Sequence, residues 1–224
     1  MARVAIYYAP ADDDPLTALA AHWLGRNPVT GAPMVQPALF GIEDVTAEPR
    51  RYGFHATLKP PMRLAEGRSW AELITAVRAV AADIAPFDLP RLAVHDLRGF
   101  LALRETEPCP ALQALADTCV EQLDSFRAPP SEAELAARRG ARLSPEQEAM
   151  LVRWGYPYVF GTWFFHMTLT RRLSNPEKEE FLPAAVAYFA PVLEVPRRLA
   201  DLCIFTQAGP DAAFNIAERV RLRG

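Results

Sequence analysis

Three cysteines, Cys109, Cys119 and Cys203, are all that the 224 residues hold. They are odd in number and lack metal-ligand spacing. A disulfide framework and a cysteine-rich metal site are therefore excluded, and reduced, buried thiols in a cytoplasmic protein are expected. Charge of one sign is also scarce, with a net charge of −3. No global basic field exists to drive non-specific nucleic-acid binding, so a polyanionic partner would need a local patch. No apolar stretch approaches the roughly 20 residues that cross a bilayer. The opening "MARVAIYYAP" has one arginine and too short an apolar run for a signal peptide, and reads as a strand. Neither a membrane nor a cofactor is called for.

What is present is an ordinary globular composition, half hydrophobic and 23% charged. The length suits one large domain or two small lobes around ample core. The 21 prolines punctuate turns and helix starts without forming a low-complexity tract. "RVAIYY" predicts a first strand. Asp14, Pro15 and Gly25 bracket a helix. Residues 26–50, with several Pro and Gly, read as a long loop. Ser69 with Glu72 opens an amphipathic helix, and "RLAVHDL" and "GFLALRE" read as two strands.

A second round follows. Leu112, Leu115, Cys119, Leu123 and Phe126 share one helical face. Residues 128–155 read as a helical insertion, with a capping box at Ser144 and Gln147. Asn175 and Pro176 start another helix, and "LADLCIFTQ" and "AAFNIAERVRL" close the chain as strands. The two rounds point to an internal duplication. The expected fold is α+β, one bilobal domain over 1–224 with antiparallel-rich sheets, flanking helices and a central cleft between pseudo-twofold lobes.

The rounds share one short string. "RYGFHATLKPP" carries His55 and Thr57; "GTWFFHMTLTR" carries His166 and Thr168. A histidine in an apolar strand is usually a satisfied core residue. Strand alternation argues otherwise here: over about 53–60, His55, Thr57 and Lys59 share a face opposite Phe54, Ala56 and Leu58, and over about 163–171, His166, Thr168 and Thr170 share a face opposite Phe165, Met167 and Leu169. Facing lobes would bring two imidazoles and two hydroxyls to one cavity. Imidazole is suited to proton transfer near neutrality, and threonine hydroxyls donate to anionic oxygens. That set fits in-line attack at phosphorus, with one histidine as base and the other as acid. Arg51, Lys59, Arg63 and Arg171 lie beside the motifs and offer charge to a phosphate, while Tyr7, Tyr8, Tyr52, Tyr156, Trp154 and Trp163 are candidate cleft liners whose individual alternative is core packing. A zinc site is the rival for the histidines, but no third ligand recurs near both motifs. His22 and His95 lie outside the repeat.

"HATL" and "HMTL" resemble the paired H-x-[ST]-hydrophobic motifs of the two-histidine (2H) phosphoesterase superfamily. The longer strings and "VAIYYAP" resemble a branch of phosphonate-metabolism proteins that occur with carbon–phosphorus lyase genes. The resemblance covers most of the chain and excludes 128–155 from the common core. It implies a bilobal fold, metal-free catalysis, no cofactor, and His55, Thr57, His166 and Thr168 as catalytic residues. Tyr52, Lys59, Arg51, Arg171, Tyr7 and Trp163 are the candidate substrate contacts. The expected partner is a small phosphate ester, such as a sugar cyclic phosphate, and a monomer is favoured. Two alternatives stay open: an RNA-end 2′,3′-cyclic phosphodiesterase or 2′,5′-ligase-like enzyme, and a non-catalytic phosphate-binding module.

Overall fold

Local signals set most element boundaries in the computed structural model, which describes residues 2–140 and 142–224. β1 is Arg3–Tyr8, and α1 is Pro15–Leu24, where the Asp14 side chain accepts from Leu16 N at 2.8 Å. The expected long loop contains two short helices, α2 (Ile42–Val45) and α3 (Ala47–Tyr52), which pure composition hides because each is under two turns. β2 is Ala56–Met62, and α4, Trp70–Ala82, opens on the Ser69–Glu72 capping box. Then come β3 (Phe87–Leu89), β4 (Leu92–Leu97), β5 (Phe100–Glu105) and α5 (Pro110–Gln122). Two helices occupy the insertion: α6, Glu132–Arg139, and α7, Pro145–Trp154. β6 is Met167–Thr168, and α8 is Asn175–Leu193. Its cap is Ser174, one residue before the expected Asn175, because Glu177 Oε2 accepts from both Ser174 N and Oγ. β7 (Arg197–Leu199), β8 (Asp201–Gln207) and β9 (Asn215–Arg221) close the chain.

The architecture is α+β, with antiparallel sheets flanked by helices. One sheet has the order β2-β1-β8-β9, a second β4-β5-β6, and β3 pairs with β7. The closing strands of each round therefore lie in the other round's sheet. α5 packs on β2, α4 on β8 and β9, and α8 on β4. The main core runs through Ile6, Trp23, Leu58, Leu103, Phe165, Met167 and Ile204, all essentially inaccessible. The opposite face of the four-stranded sheet carries a smaller cluster of Ala5, Tyr7, Phe205 and Phe214.

The sheets are unequal, and the second H-x-T strand is far shorter than the expected 163–171. Only Met167 and Thr168 pair with β5. Beyond them, the N–H groups of Leu169 and Thr170 both point at Leu101 O, at 2.8 and 3.3 Å. The Thr170 hydroxyl takes the Leu101 N–H at 3.0 Å. A side-chain acceptor thus replaces the next ladder rung, and the strand ends.

Candidate active site

Gly53 sets up the first histidine. Its φ is 75°, and a Cβ there would meet Pro28 Cβ at 2.8 Å, so only glycine fits both the backbone and the space. The turn aims Gly53 O at His55 Nδ1, 2.8 Å away. A carbonyl can only accept, so Nδ1 carries the proton and Nε2 is left free. Thr57 Oγ1 lies 3.4 Å from that Nε2. The Tyr7 ring stacks on the imidazole, with centroids 3.7 Å apart and planes inclined by 17°. Tyr7 is placed there by the sheet, since its Cα pairs with Thr57 across β1 and β2.

His166 repeats the device. Its Nδ1 donates to Phe164 O, again two residues back, at 3.1 Å, leaving Nε2 free. Its ring packs against Phe164 and meets the edge of Phe100. Trp163 joins the halves, its Nε1 donating to Thr57 O at 2.8 Å.

His55, Thr57, His166 and Thr168 all line one cavity of about 580 Å³, together with Tyr7, Tyr52 and Arg171. An adjoining chamber of about 750 Å³ shares Thr57, Phe100, Tyr156, His166 and Arg172 with the first and adds Trp163. Burial pushes the His55 imidazole down to about 4 against the pull of the Gly53 carbonyl, with His166 adding to the depression. Burial also lowers His166, opposed by the Phe164 carbonyl. Both rings are therefore neutral at pH 7. The Tyr7 hydroxyl is pushed well above its usual range by burial, so it stays protonated.

Five expected residues, Lys59, Arg51, Arg63, Trp154 and Tyr8, lie elsewhere, Tyr8 being buried in the main core against Phe165. Lys59 does not share the face of His55 and Thr57. Ile6 pairs with Lys59 and Tyr7 with Thr57, so β2 carries an extra residue there. This bulge turns Lys59 inward. The residue is 1% exposed; its ammonium donates to Val120 O at 3.0 Å and lies 3.6 Å from Asp124, and burial lowers it to about 8. Arg51 donates to Pro210 O outside the cavity. Arg63 is held by Glu134 and Pro129 O. Trp154 packs with Phe160. Arg171 does line the cavity, but Glu177 and Asp44 both hold it, raising its pKa. His22 binds Val35 O, and His95 is exposed.

The cavity also takes residues the motifs did not reveal, Arg3, Arg138 and Arg172, beside the expected Tyr156. The adjoining chamber adds Arg98, Arg104 and Arg142. Arg138 and Arg142 come from the insertion, so this segment helps wall the cleft. One sequence signal was available. The chain has only two lysines, Lys59 and Lys178. Both pair with aspartates away from the cleft, and among the described residues every cation lining it besides the histidines is an arginine. Arginine binds phosphate with a fixed fork of donors. No group of three or more His, Cys, Asp or Glu suited to hold a metal occurs among the described residues.

Paired imidazoles among arginines, in one cleft of an antiparallel α+β fold, define a candidate phosphate-ester site. The chain belongs to the family described as "Protein of unknown function (DUF1045)", which it matches over residues 57–215. The match takes in Thr57, His166 and Thr168 and begins two residues after His55. A protein of Janthinobacterium sp. (strain Marseille) named ribose 1,5-bisphosphate phosphokinase PhnN is 40% identical over 233 residues, covering 100% of this chain and 51% of its own length. A protein of the same name from Laribacter hongkongensis (strain HLHK9) is 35% identical over 222 residues, covering 98% of this chain and 52% of its own. The chain thus spans about half the length of the curated relatives it matches. Among solved structures, E. coli LigT complexed with 3'-AMP aligns over 99% of this chain and 98% of its own at 14% identity, TM-score 0.44. A structure described as a phosphoesterase aligns over the same shares at 14% identity, TM-score 0.45. At that identity and score neither bears on what this chain does. No helix among the described residues is long and apolar enough to cross a membrane.

Proposed function

We propose that the chain is a metal-independent phosphodiesterase that opens a small cyclic phosphate, or cleaves a small phosphodiester, with water. The supporting observation is a pair of histidines on one cavity, each with Nδ1 tied to the carbonyl two residues back and Nε2 left for a ligand. One Nε2 removes a proton from water as its oxygen attacks phosphorus. The other, protonated, gives its proton to the departing alkoxide, so the cyclic ester and one water become a phosphomonoester with a free hydroxyl. His55, whose imidazole burial lowers to about 4, takes the role of base. His166 takes the role of acid, charged when the anionic substrate offsets its desolvation. Thr57 and Thr168 donate to the equatorial oxygens, and Tyr52 and Arg171 line the ligand's path.

A phosphorylated ribose suits the cavity's size and the name its relatives carry, since that name concerns a ribose bisphosphate. The kinase activity itself is a property of those proteins. This chain has no Gly-Lys pair, hence no P-loop of the G-x-x-x-x-G-K form. A second reading, a 2′,3′-cyclic phosphate at an RNA end, draws on the faces of Tyr158, Trp163 and Phe164 in the second chamber, which suit a stacked base. The test is a phosphorus-NMR screen of ribose and nucleoside cyclic phosphates after exhaustive EDTA treatment. Turnover by the wild type, absent in the His55→Ala, His166→Ala double variant, is expected. Turnover restored only by zinc or manganese would overturn the metal-free mechanism. Binding without opening would make the protein a phosphate-binding module.

A further inference from the structure

Two of the three non-glycine residues with left-handed backbone among those described are Arg98, φ 55°, and Arg142, φ 52°. Both line the second chamber. A long side chain gains nothing from that conformation, which glycine or asparagine adopts more readily. Strain of this kind clusters where a side chain must point at something. Arg98 opens the two-residue turn between β4 and β5, which itself demands left-handed backbone, and Arg142 lies between α6 and α7; at both places an arginine stands where glycine or asparagine fits more readily, and both arginines wall one space.

The charge around that space is unbalanced. Among the described residues neither Arg98, Arg142 nor Arg172 forms an ion pair with a carboxylate, and Arg172 donates only to Arg98 O. Arg104 is paired with the adjacent Glu105 at 3.2 Å, lies over the Phe164 ring, and keeps a buried Nε with no acceptor. Glu146 is the single acid lining the chamber. Three guanidinium groups with no carboxylate partner, beside Arg104 and with Glu146 as the lining acid, leave an anion-seeking space next to His166.

We propose that the substrate carries a second phosphate, remote from the one that reacts, and that Arg98, Arg104, Arg142 and Arg172 bind it while the reacting phosphate sits between the histidines. This rests on the phosphodiesterase reading for the first phosphate only. The second chamber then selects among cyclic phosphates, rejecting those whose far end is neutral. A ligand lacking the second anion loses the charge-assisted contacts and leaves the guanidinium cluster uncompensated.

The test compares a pentose cyclic phosphate with and without a phosphate on its distal hydroxyl, using wild type and the Arg98→Ala, Arg142→Ala double variant. Wild type is expected to favour the doubly phosphorylated ester by tenfold or more in kcat/KM. The double variant should lose that preference yet handle the singly phosphorylated ester within about twofold of wild type. Equal kcat/KM for the two esters in wild type, or a preference that survives in the double variant, overturns the proposal. A second arm needs no turnover: calorimetry of a pentose bisphosphate against the pentose monophosphate, on wild type and on the His55→Ala, His166→Ala variant. Tighter bisphosphate binding by both proteins, lost when the Arg98→Ala, Arg142→Ala variant is titrated in the same way, supports the second site even if no ester is opened, in which case only the hydrolase reading falls. Equal binding of the two, or tighter binding of a nucleoside monophosphate than of the bisphosphate, rejects it in favour of a neutral or stacking far end.

Discussion

The two histidine motifs share a hydrogen bond and differ in almost everything that supports it. His55 precedes a seven-residue strand, is backed by a stacked Tyr7, and takes its carbonyl from a left-handed glycine. His166 precedes a two-residue strand, is backed by Phe164 and Phe100, and takes its carbonyl from Phe164. The fourth residue after each histidine is polar and buried, but for different ends: Lys59 meets Asp124 across a bulge, and Thr170 caps a ladder rung. What is duplicated is the tautomer lock and the neighbouring hydroxyl. That is the part the proposed hydrolysis needs in two copies, one to take a proton and one to give it.

Removing the rings breaks the comparison hardest. His55→Ala and His166→Ala should each lower kcat on a cyclic phosphate by about 10²–10⁴-fold. Their pH profiles should differ. Wild type should show a bell in kcat/KM whose maximum lies on the acid side of about 6.5, because burial lowers both imidazoles from that value. Loss of the base, His55, should erase the acid limb; loss of His166 should erase the alkaline limb. Exchanged limbs would reverse the roles, and a variant at wild-type rate would make its ring structural. A folded pKa below the unfolded one also means that the unfolded chain binds more protons as pH falls from about 6.5 toward 4. Stability drops across that window, and thermal scans of His55→Ala should show a shallower drop.

Gly53→Ala probes the support that only the first half has. The positive φ and the contact with Pro28 should cost about 1–3 kcal/mol in chemical denaturation, while Phe164→Ala keeps its carbonyl for His166. An unchanged Gly53→Ala protein would show that the left-handed turn is dispensable. Thr57→Ala and Thr168→Ala should each remove about 1 kcal/mol of transition-state binding. They should lower the bell without moving its limbs; a shifted limb would mean that the hydroxyl tunes the ring. The smallest effect belongs to Lys59→Met, within about 1 kcal/mol of wild type with turnover retained, since Asp124 keeps Arg127 as a partner. Lys59 is lowered to about 8 from 10.5, so wild-type stability should rise with pH between those values. Denaturation at pH 7.5 and 9.5 should find that rise absent in Lys59→Met.

Capped helices and isolated strands were legible in the sequence because their signals are local: Asp14, the Ser69–Glu72 and Ser144–Gln147 boxes, and the alternation of "RVAIYY" all sit where they act. The H-x-T face was legible as far as Thr57 and Thr168. Lys59 was not, because a bulge is set by how β1 pairs with β2 and leaves no mark on β2 alone. Arg98, Arg138, Arg142 and Arg172 reach the cleft from a turn, a helix, a connection and a strand exit, which no spacing rule joins. Pairing of β1 with β8 is longer-range still.

That last pairing bears on how the molecule is made. As the chain leaves the ribosome, β4 and β5 can close a hairpin at once, and β6 has its edge waiting. β1 and β2 emerge earlier, yet the inner edge of β1 stays open until β8 arrives, with Ile6 seeking Ile204. Contacts so distant along the chain form late. The half of the cleft that carries His55 is thus the first to be translated and the last to be completed.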